Sequence, residues 1–269
     1  MTPQREPVVD HPRLRLVGRR AARRARVGRL RPQQSPHRRR RCSVLVVRDG
    51  PKGRTQALVD TSPDLREQLI DANVSSLDAV LISHEHADHT HGMDDLRPIY
   101  MAMRRRLDIY VDATTSEALR RKFGYIFATP PGSSYPPMAA ERRIRAGEPI
   151  VVEGAGGAIE AIPFDLEHGD IGALGFRFGG LAYTPDLNGV PEASRRWLEG
   201  LDVWVVDALR YAPHTSHWSL DDALAGIERM RPRRAVLTNL HIDLDYETLR
   251  RRLPSGVEPA YDGMPIEGF

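Results

Sequence analysis

The chain has one cysteine, few aromatic residues and no long apolar run in its 269 positions, and each shortage removes a class of protein. Cys42 has no second cysteine to pair with, which fits a reducing compartment and also excludes a cysteine-based zinc cluster. Any metal would therefore be held by histidine and carboxylate. No apolar segment approaches the roughly 20 residues that span a bilayer. Near the start of the sequence, no apolar stretch separates a charged segment from a small-residue cleavage site. No secretory signal is expected, and the cytoplasm is the expected location. Hydrophobic residues make up 41% of the chain, enough at this length for one sizeable core, so one domain is expected over two.

Acidic residues are scarce at one end only. Residues 1–41 carry 14 arginines against Glu6 and Asp10. Setting these aside leaves 25 basic and 34 acidic groups, so the +3 of the whole chain hides a body of net charge −9. We therefore divide the chain into an Arg-rich segment, 1–41, and a body, 42–269. An arginine-rich arm can bind nucleic acid or direct targeting, or it can be an unstructured extension.

From Cys42 onward, short β patterns alternate with helical ones. "CSVLVV" and "QALVD" read as strands around the turn signal Asp49-Gly50-Pro51. "TSPDLREQLIDA" reads as a helix with Ser62 as N-cap and Pro63 at its first position. "LDAVLIS" is apolar on both faces, as a strand buried between layers would be. A helix over 93–104 is interrupted by Pro98, "LDIYVD" is a strand, and "TTSEALRRKFGYIF" is a helix. Residues 129–149, with five prolines, read as a long loop. Then "PIVVE", "AIEAIPFD", "ALGFRFG" and "LAYTPD" are consecutive strands, the last two joined at Gly179-Gly180. A helix at 191–199, the strand "DVWVVDAL", a helix at 219–230, the strand "RAVLTNL" and a helix at 246–252 complete the pattern. Ser219-x-x-Asp222 opens the second of those helices like a capping box. Two β-rich, helix-punctuated halves imply a layered sandwich with helices outside.

The densest chemical signal is "LISHEHADHTHG" over residues 81–92. His84, His86, Asp88 and His89 form H-x-H-x-D-H at the carboxyl end of a buried strand. On a loop, ligands two apart can face one ion while the Asp-His pair turns toward another. Neutral imidazole with carboxylate suits Zn²⁺ or Mn²⁺.

This motif after "DAVLIS", with Asp60 ending "LVD", resembles the metallo-β-lactamase superfamily. The resemblance implies an α+β fold, the four-layer αβ/βα sandwich, with two divalent metal ions at the rim of its sheets. It also implies three further ligands after strands, and His168, Asp186 and His241 stand in the matching places. By position, His84, His86 and His168 would hold one ion, Asp88, His89 and His241 the second, and Asp186 would bridge them. Asp60 would orient the ligand histidines. His91 and Glu85 are surplus to the pattern and read as loop groups.

A two-ion site serves phosphodiesters, lactones, thioesters and β-lactams alike. "SHWSLDDAL" leans toward phosphodiesters: His217 precedes a capped helix, where it can donate a proton to a leaving oxygen. That stretch is similar to the His-x-Ser/Thr segment of ribonuclease Z and its relatives; His214 lies nearby. "DTSPDLREQL", "SHEHADHTHGMDDLRP", "LEHGD" and "NLHIDLDY" resemble the phosphodiesterases that open phosphoribosyl 1,2-cyclic phosphate. The resemblance implies hydrolysis of a small cyclic or nucleotide-like phosphodiester by a metal-held hydroxide positioned by Asp88, with His217 as the second catalytic residue. The expected partner is that small molecule, with neither membrane nor nucleic acid, and a homodimer is left open. Arg97 and Arg210 are candidates for phosphate contact beside ordinary surface pairing. A lactonase or thioesterase on the same scaffold is the alternative, with nucleic-acid binding through the Arg-rich segment behind it.

The sequence departs from the family it resembles at the N-terminal side. A strand followed by a Gly/Ser-rich loop is expected there, and "HPRLRLVGRRAARR" stands instead. One permitted codon string for residues 11–23, read one base later, gives I-L-G-S-G-S-S-G-G-V-P-R, which restores the loop. Residues 11–41 are thus either a genuine Arg-rich sequence or the product of a shifted frame, and the coding DNA across codons 5–41 decides between them. As written, the chain is expected to lack its first strand and to leave a sheet edge exposed.

Overall fold

A computed structural model describes residues 13–18 and 39–269. The first sheet takes seven strands: β1 (Arg13–Gly18), β2 (Ser43–Gly50), β3 (Gly53–Val59), β4 (Ala79–Leu81), β5 (Leu107–Val111), β6 (Ala139–Arg143) and, far down the chain, β14 (Pro265–Ile266). The second takes β7 (Ile150–Val152), β8 (Ile159–His168), β9 (Ile171–Phe178), β10 (Leu181–Thr184), β11 (Val203–Asp207), β12 (Arg234–Thr238) and β13 (Val257–Pro259). Their orders are β14-β1-β2-β3-β4-β5-β6 and β13-β12-β11-β10-β9-β8-β7.

Side-chain alternation explains why the sheets face each other. Along a strand, successive side chains point to opposite faces. Val44, Val46, Ala57, Val59, Ala79 and Leu81 of the first sheet meet Phe176, Phe178, Tyr183, Val205 and Val236 of the second in one inner core. Their neighbours Leu45, Leu58 and Val80 point outward, under helices α1 (Leu65–Asp71), α3 (Arg97–Met103) and α4 (Ala113–Phe127). On the other side Trp204, Val206 and Leu237 pack under α6 (Leu220–Met230) and α7 (Tyr246–Arg252). The result is the four-layer αβ/βα sandwich expected from the sequence. Two four-residue helices, α2 (Ala87–Thr90) and α5 (Glu192–Arg195), lie on connecting segments.

Several local expectations are corrected. The first strand is present: Arg13–Gly18 pairs antiparallel with both β2 and β14, so it is an inner strand rather than a missing one. Arg39, Arg40 and Arg41 also belong to the folded body, where each bonds to it. The expectation of disorder or a shifted frame for residues 1–12 and 19–38 lies outside the described residues. The proline-rich stretch 129–149 contains β6, which extends the sheet by parallel pairing with β5. Helix α1 starts later than read. Asp64 is its N-cap, while Ser62 Oγ accepts from the Asp64 N–H at 3.1 Å and donates to Gln68 Oε1 at 2.8 Å. Pro98 opens α3 instead of interrupting a longer helix, the residues before it forming a 3₁₀ turn at Met93–Leu96. The Ser219 capping box is formed as read.

The topology gathers chemistry at one rim. β3 runs parallel to β4, and β10, β11 and β12 run parallel to one another. β8 lies antiparallel to β9, which is antiparallel to β10, so β8 points the same way as β10. The carboxyl ends carry Asp60, His84, His168, Asp186, Asp207 and Asn239. Leu174 N–H donates to Ser83 O at 2.9 Å and ties the two sheets together at this rim.

Candidate metal centre

The H-x-H-x-D-H loop is held tightly where it leaves β4. Asp60 N–H donates to Leu81 O at 2.8 Å, and Thr61 N–H to His89 O at 2.7 Å. Gly92 closes the loop by donating to Thr61 O at 2.9 Å. A Cβ at Gly92 would lie 1.9 Å from Ser62 O, so only glycine permits that approach.

One carboxylate sets the tautomers of two histidines. Ser83 Oγ and His89 Nδ1 both bond Asp60 Oδ2, at 2.8 and 2.7 Å, and the Ser83 N–H donates to Oδ1 at 2.8 Å. The Ser83 hydroxyl spends its proton on Asp60, so it accepts from His84 Nδ1–H at 3.0 Å. Both imidazoles therefore carry a proton on Nδ1, and in the neutral ring it is Nε2 that presents a bare lone pair. His168 follows the same plan, its Nδ1–H donating to Ser216 O at 2.6 Å. So does His217, whose Nδ1 lies 2.8 Å from Asp207 Oδ2.

These lone pairs converge on Asp186. Its Oδ2 lies 3.7 Å from His84 Nε2, 3.7 Å from His168 Nε2 and 3.8 Å from His217 Nε2, and its Oδ1 lies 3.3 Å from His89 Nε2. His86, exposed at the mouth, brings Nδ1 to 3.1 Å from His168 Nε2. Three donor groups result: His84, His86, His168 and Asp186; Asp88, His89 and Asp186; and Asp186, Asp207 and His217.

The electrostatics match this arrangement. Burial, then the neighbouring His89, hold His84 well below its ordinary value, and burial lowers His168 as well. Burial opposes ionisation of Asp186, but His89 and His84 outweigh it and hold the carboxyl well below its usual range. Burial also opposes protonation of His89, yet Asp186 and Asp60 outweigh it and hold that ring above its ordinary value. Asp207 is pushed up by burial to about 7, with His217 acting the other way.

The residues fit a divalent cation. His84 Nε2, His89 Nε2 and Asp186 Oδ2 are all buried without a hydrogen-bond partner. Such atoms are costly when unmade, and here they point at one another across distances that a cation would bridge. Neutral His84 and His168 with ionised Asp186 are in the protonation state in which such side chains ligate, whereas His89 must first release the extra proton that Asp186 and Asp60 favour.

Some sequence candidates lie elsewhere. His241 is absent from the three donor groups, and its Nδ1 lies 3.2 Å from Asp243. The place beside Asp186 Oδ1 is taken by Asn239, whose Nδ2 donates to it at 3.0 Å. His91 packs edge-on against Phe123, and Glu85 pairs with Lys122. Arg97 pairs with Asp94, and Arg210 bonds the Ala212 and Pro213 carbonyls. His214 lies beside Ser216 and the His217 ring. Asp207, Asn239 and Ser83 were not singled out from sequence. The available signal was their position at strand ends, shared with Asp60 and Asp186.

Comparison with known proteins agrees with this construction. A family model described as a beta-lactamase superfamily domain matches residues 55–242. A crystal structure of a diphosphatase from the PhnP family is 30% identical, with a TM-score of 0.83, covering 96% of this chain and 98% of that one. The short form of human tRNase Z is 17% identical, with a TM-score of 0.64, over 95% of this chain and 98% of that one. Among curated proteins, an octanoyltransferase of Porphyromonas gingivalis is 31% identical over 231 residues. That match takes in 84% of this chain, which spans only 44% of that protein's length. The chain belongs to the beta-lactamase superfamily, as a metal-dependent hydrolase of the metallo-β-lactamase fold that is similar to a PhnP-family diphosphatase.

Proposed function

We propose that the protein hydrolyses a small phosphodiester, cyclic or nucleotide-like, using two divalent ions, Zn²⁺ or Mn²⁺. His84, His86 and His168 would hold one ion and Asp88 and His89 the other, with Asp186 between them. His241 would join the second set only with its ring turned away from Asp243. Bound there, the ions supply an acidified water and offset charge on the phosphoryl oxygens. Asp88, partly exposed beside His89, would position that water for attack.

The observation that carries the reading is the His217–Asp207 pair. His217 is buried, its Nδ1 is fixed on Asp207, and its Nε2 faces Asp186 across 3.8 Å. A proton on Nε2 makes an imidazolium that the Asp207 carboxylate balances, and Nε2 hands it to the departing oxygen. An alkoxide or ribose oxygen needs that proton on leaving; a thiolate needs it far less. The 30% identity to a PhnP-family diphosphatase supports phosphoryl chemistry.

Acyl hydrolysis is the second reading, favoured by the name of the curated octanoyltransferase relative. The metal-loaded protein should be tested on bis(p-nitrophenyl) phosphate and cyclic phosphodiesters, beside a lactone and a thioester, with His217→Ala and His86→Ala in parallel. We expect phosphodiester turnover, reduced about 10²–10⁴-fold by removing the acid and lost in His86→Ala. Turnover of the lactone or thioester alone, indifferent to His217, would move the protein to the acyl reading.

A further inference from the structure

Residues Arg39–Cys42 run directly into β2 and touch both halves of the sandwich. Arg41 bonds Asp64 at 2.9 Å, and its carbonyl accepts from Gln68 Nε2 at 2.8 Å, both at α1. Arg40 bonds Asp71 at 2.7 Å, at the end of the same helix, and Asp262 at 3.1 Å on the segment that crosses from β13 to β14. Arg39 turns wholly toward the other half. It is 5% exposed; Nη1 donates to Leu240 O at 3.1 Å and His241 O at 2.6 Å, and Nη2 donates to Leu244 O at 2.6 Å.

A buried guanidinium that spends its Nη donors on main-chain carbonyls and leaves Nε without a partner is an expensive arrangement, because a charge leaves water without a directly bonded carboxylate. The planar fork is what makes it specific: it gathers three carbonyls of one turn, which a single ammonium head cannot do. That turn begins at Asn239, in the left-handed region at φ 56°. Asn239 Nδ2 donates to Asp186 Oδ1 at 3.0 Å, and Cys42 Sγ lies 3.9 Å from Asn239 Oδ1, so the same short segment reaches Asn239 from a second side. With Oδ1 engaged by the amide, Asp186 Oδ2 is the oxygen left without a protein partner, facing His84, His168 and His217.

We propose that Arg39 is a positioning residue for the metal centre: by clamping Leu240–Leu244 it fixes the Asn239 amide on one oxygen of Asp186 and commits the other to the ions. The same clamp sets the main chain of His241. The inference rests on the metal-binding reading of the site and not on the identity of the substrate.

The test uses the full chain and reads metal affinity first. Zn²⁺ is titrated against a chromophoric chelator for the wild type, Arg39→Ala, Arg39→Lys, Asn239→Ala and the Arg39→Ala/Asn239→Ala pair. Thermal unfolding, kcat and KM are measured beside it. We expect Arg39→Ala to weaken the looser ion by about 10–100-fold, the range for removing groups that hold ligands in place, and to lower kcat with KM little changed. Methylguanidinium should restore part of the affinity to Arg39→Ala, and Arg39→Lys should recover less than the wild type. Asn239→Ala should reproduce the loss, and the double variant should add little to either. A folded Arg39→Ala with wild-type metal affinity and only a lower Tm would overturn the proposal, as would losses that simply add in the double variant. If Arg39→Ala does not fold, Asn239→Ala decides, because unchanged affinity there breaks the only route proposed. A wild type that binds two ions yet hydrolyses no phosphodiester sinks the functional reading alone. One that binds no ion sinks both.

Discussion

Asp60 sits in the left-handed backbone region at φ 63°, which costs a non-glycine residue on the order of 1 kcal/mol or more. Its three accepted hydrogen bonds, from the Ser83 N–H, the Ser83 hydroxyl and His89 Nδ1–H, offset that cost and place a proton on Nδ1 of two rings of the candidate metal centre. Asp60→Asn replaces an acceptor oxygen with an NH₂ that confronts one of those donors. Metal affinity should fall about 10–100-fold, measured by chelator competition, and Ser83→Ala should cost less because it frees His84 alone. Unchanged affinity in a folded Asp60→Asn variant would refute this role. Asp60 was legible in sequence because it stands at a strand end beside the motif. Asp207 and Asn239 stand at equivalent ends, but a lone Asp or Asn after an apolar run looks like any turn residue. Their meaning depends on which strands are neighbours, and that is set by pairings such as β11 with β12, which no local pattern encodes. His241 shows the converse: its position in the motif order was readable, whereas its ring direction depends on Asp243 two residues on.

Among the elements, the α2 loop depends most on close approach. Gly92→Ala puts a methyl against the Ser62 carbonyl, and neither backbone can yield without moving the loop or the start of α1. We expect a loss of about 1–3 kcal/mol, the usual range for overpacking, read by chemical denaturation, together with weaker metal binding. A wild-type midpoint would show that the loop has slack the geometry denies. The strongly patterned elements were legible: β8 largely alternates buried and exposed positions, β9 and β10 are short runs with continuous buried stretches beside a glycine pair, and α6 announces itself by its capping box. β6 was not, because five prolines flank it on both sides and its Ala-Ala-Glu-Arg-Arg composition has low strand propensity. Parallel pairing with β5 overrides that weak local preference. β13 and β14, three and two residues long, are too short for any periodicity. β1 was hidden by its arginines, which make an inner strand look like part of a charged tail.

At the scale of the whole molecule, the donor groups are split between the two halves. His84, His86, Asp88 and His89 come from the first sheet's side, and His168, Asp186, Asp207 and His217 from the second's. An ion that binds only the folded chain stabilises it by about 2.7 kcal/mol at 100 times its Kd, so chelation should lower Tm measurably. The division also has a consequence in time. Residues 84 and 186 can share an ion only after the two sheets have docked, so the ions are captured late, once most of the native surface is already buried. Interactions absent from the folding transition state slow unfolding and leave folding rates unchanged. In stopped-flow experiments with and without Zn²⁺, the refolding arm of the chevron should therefore superimpose while the unfolding arm drops with metal. The ion then acts as a latch on a closed book, and the metal-free protein is the one whose covers reopen.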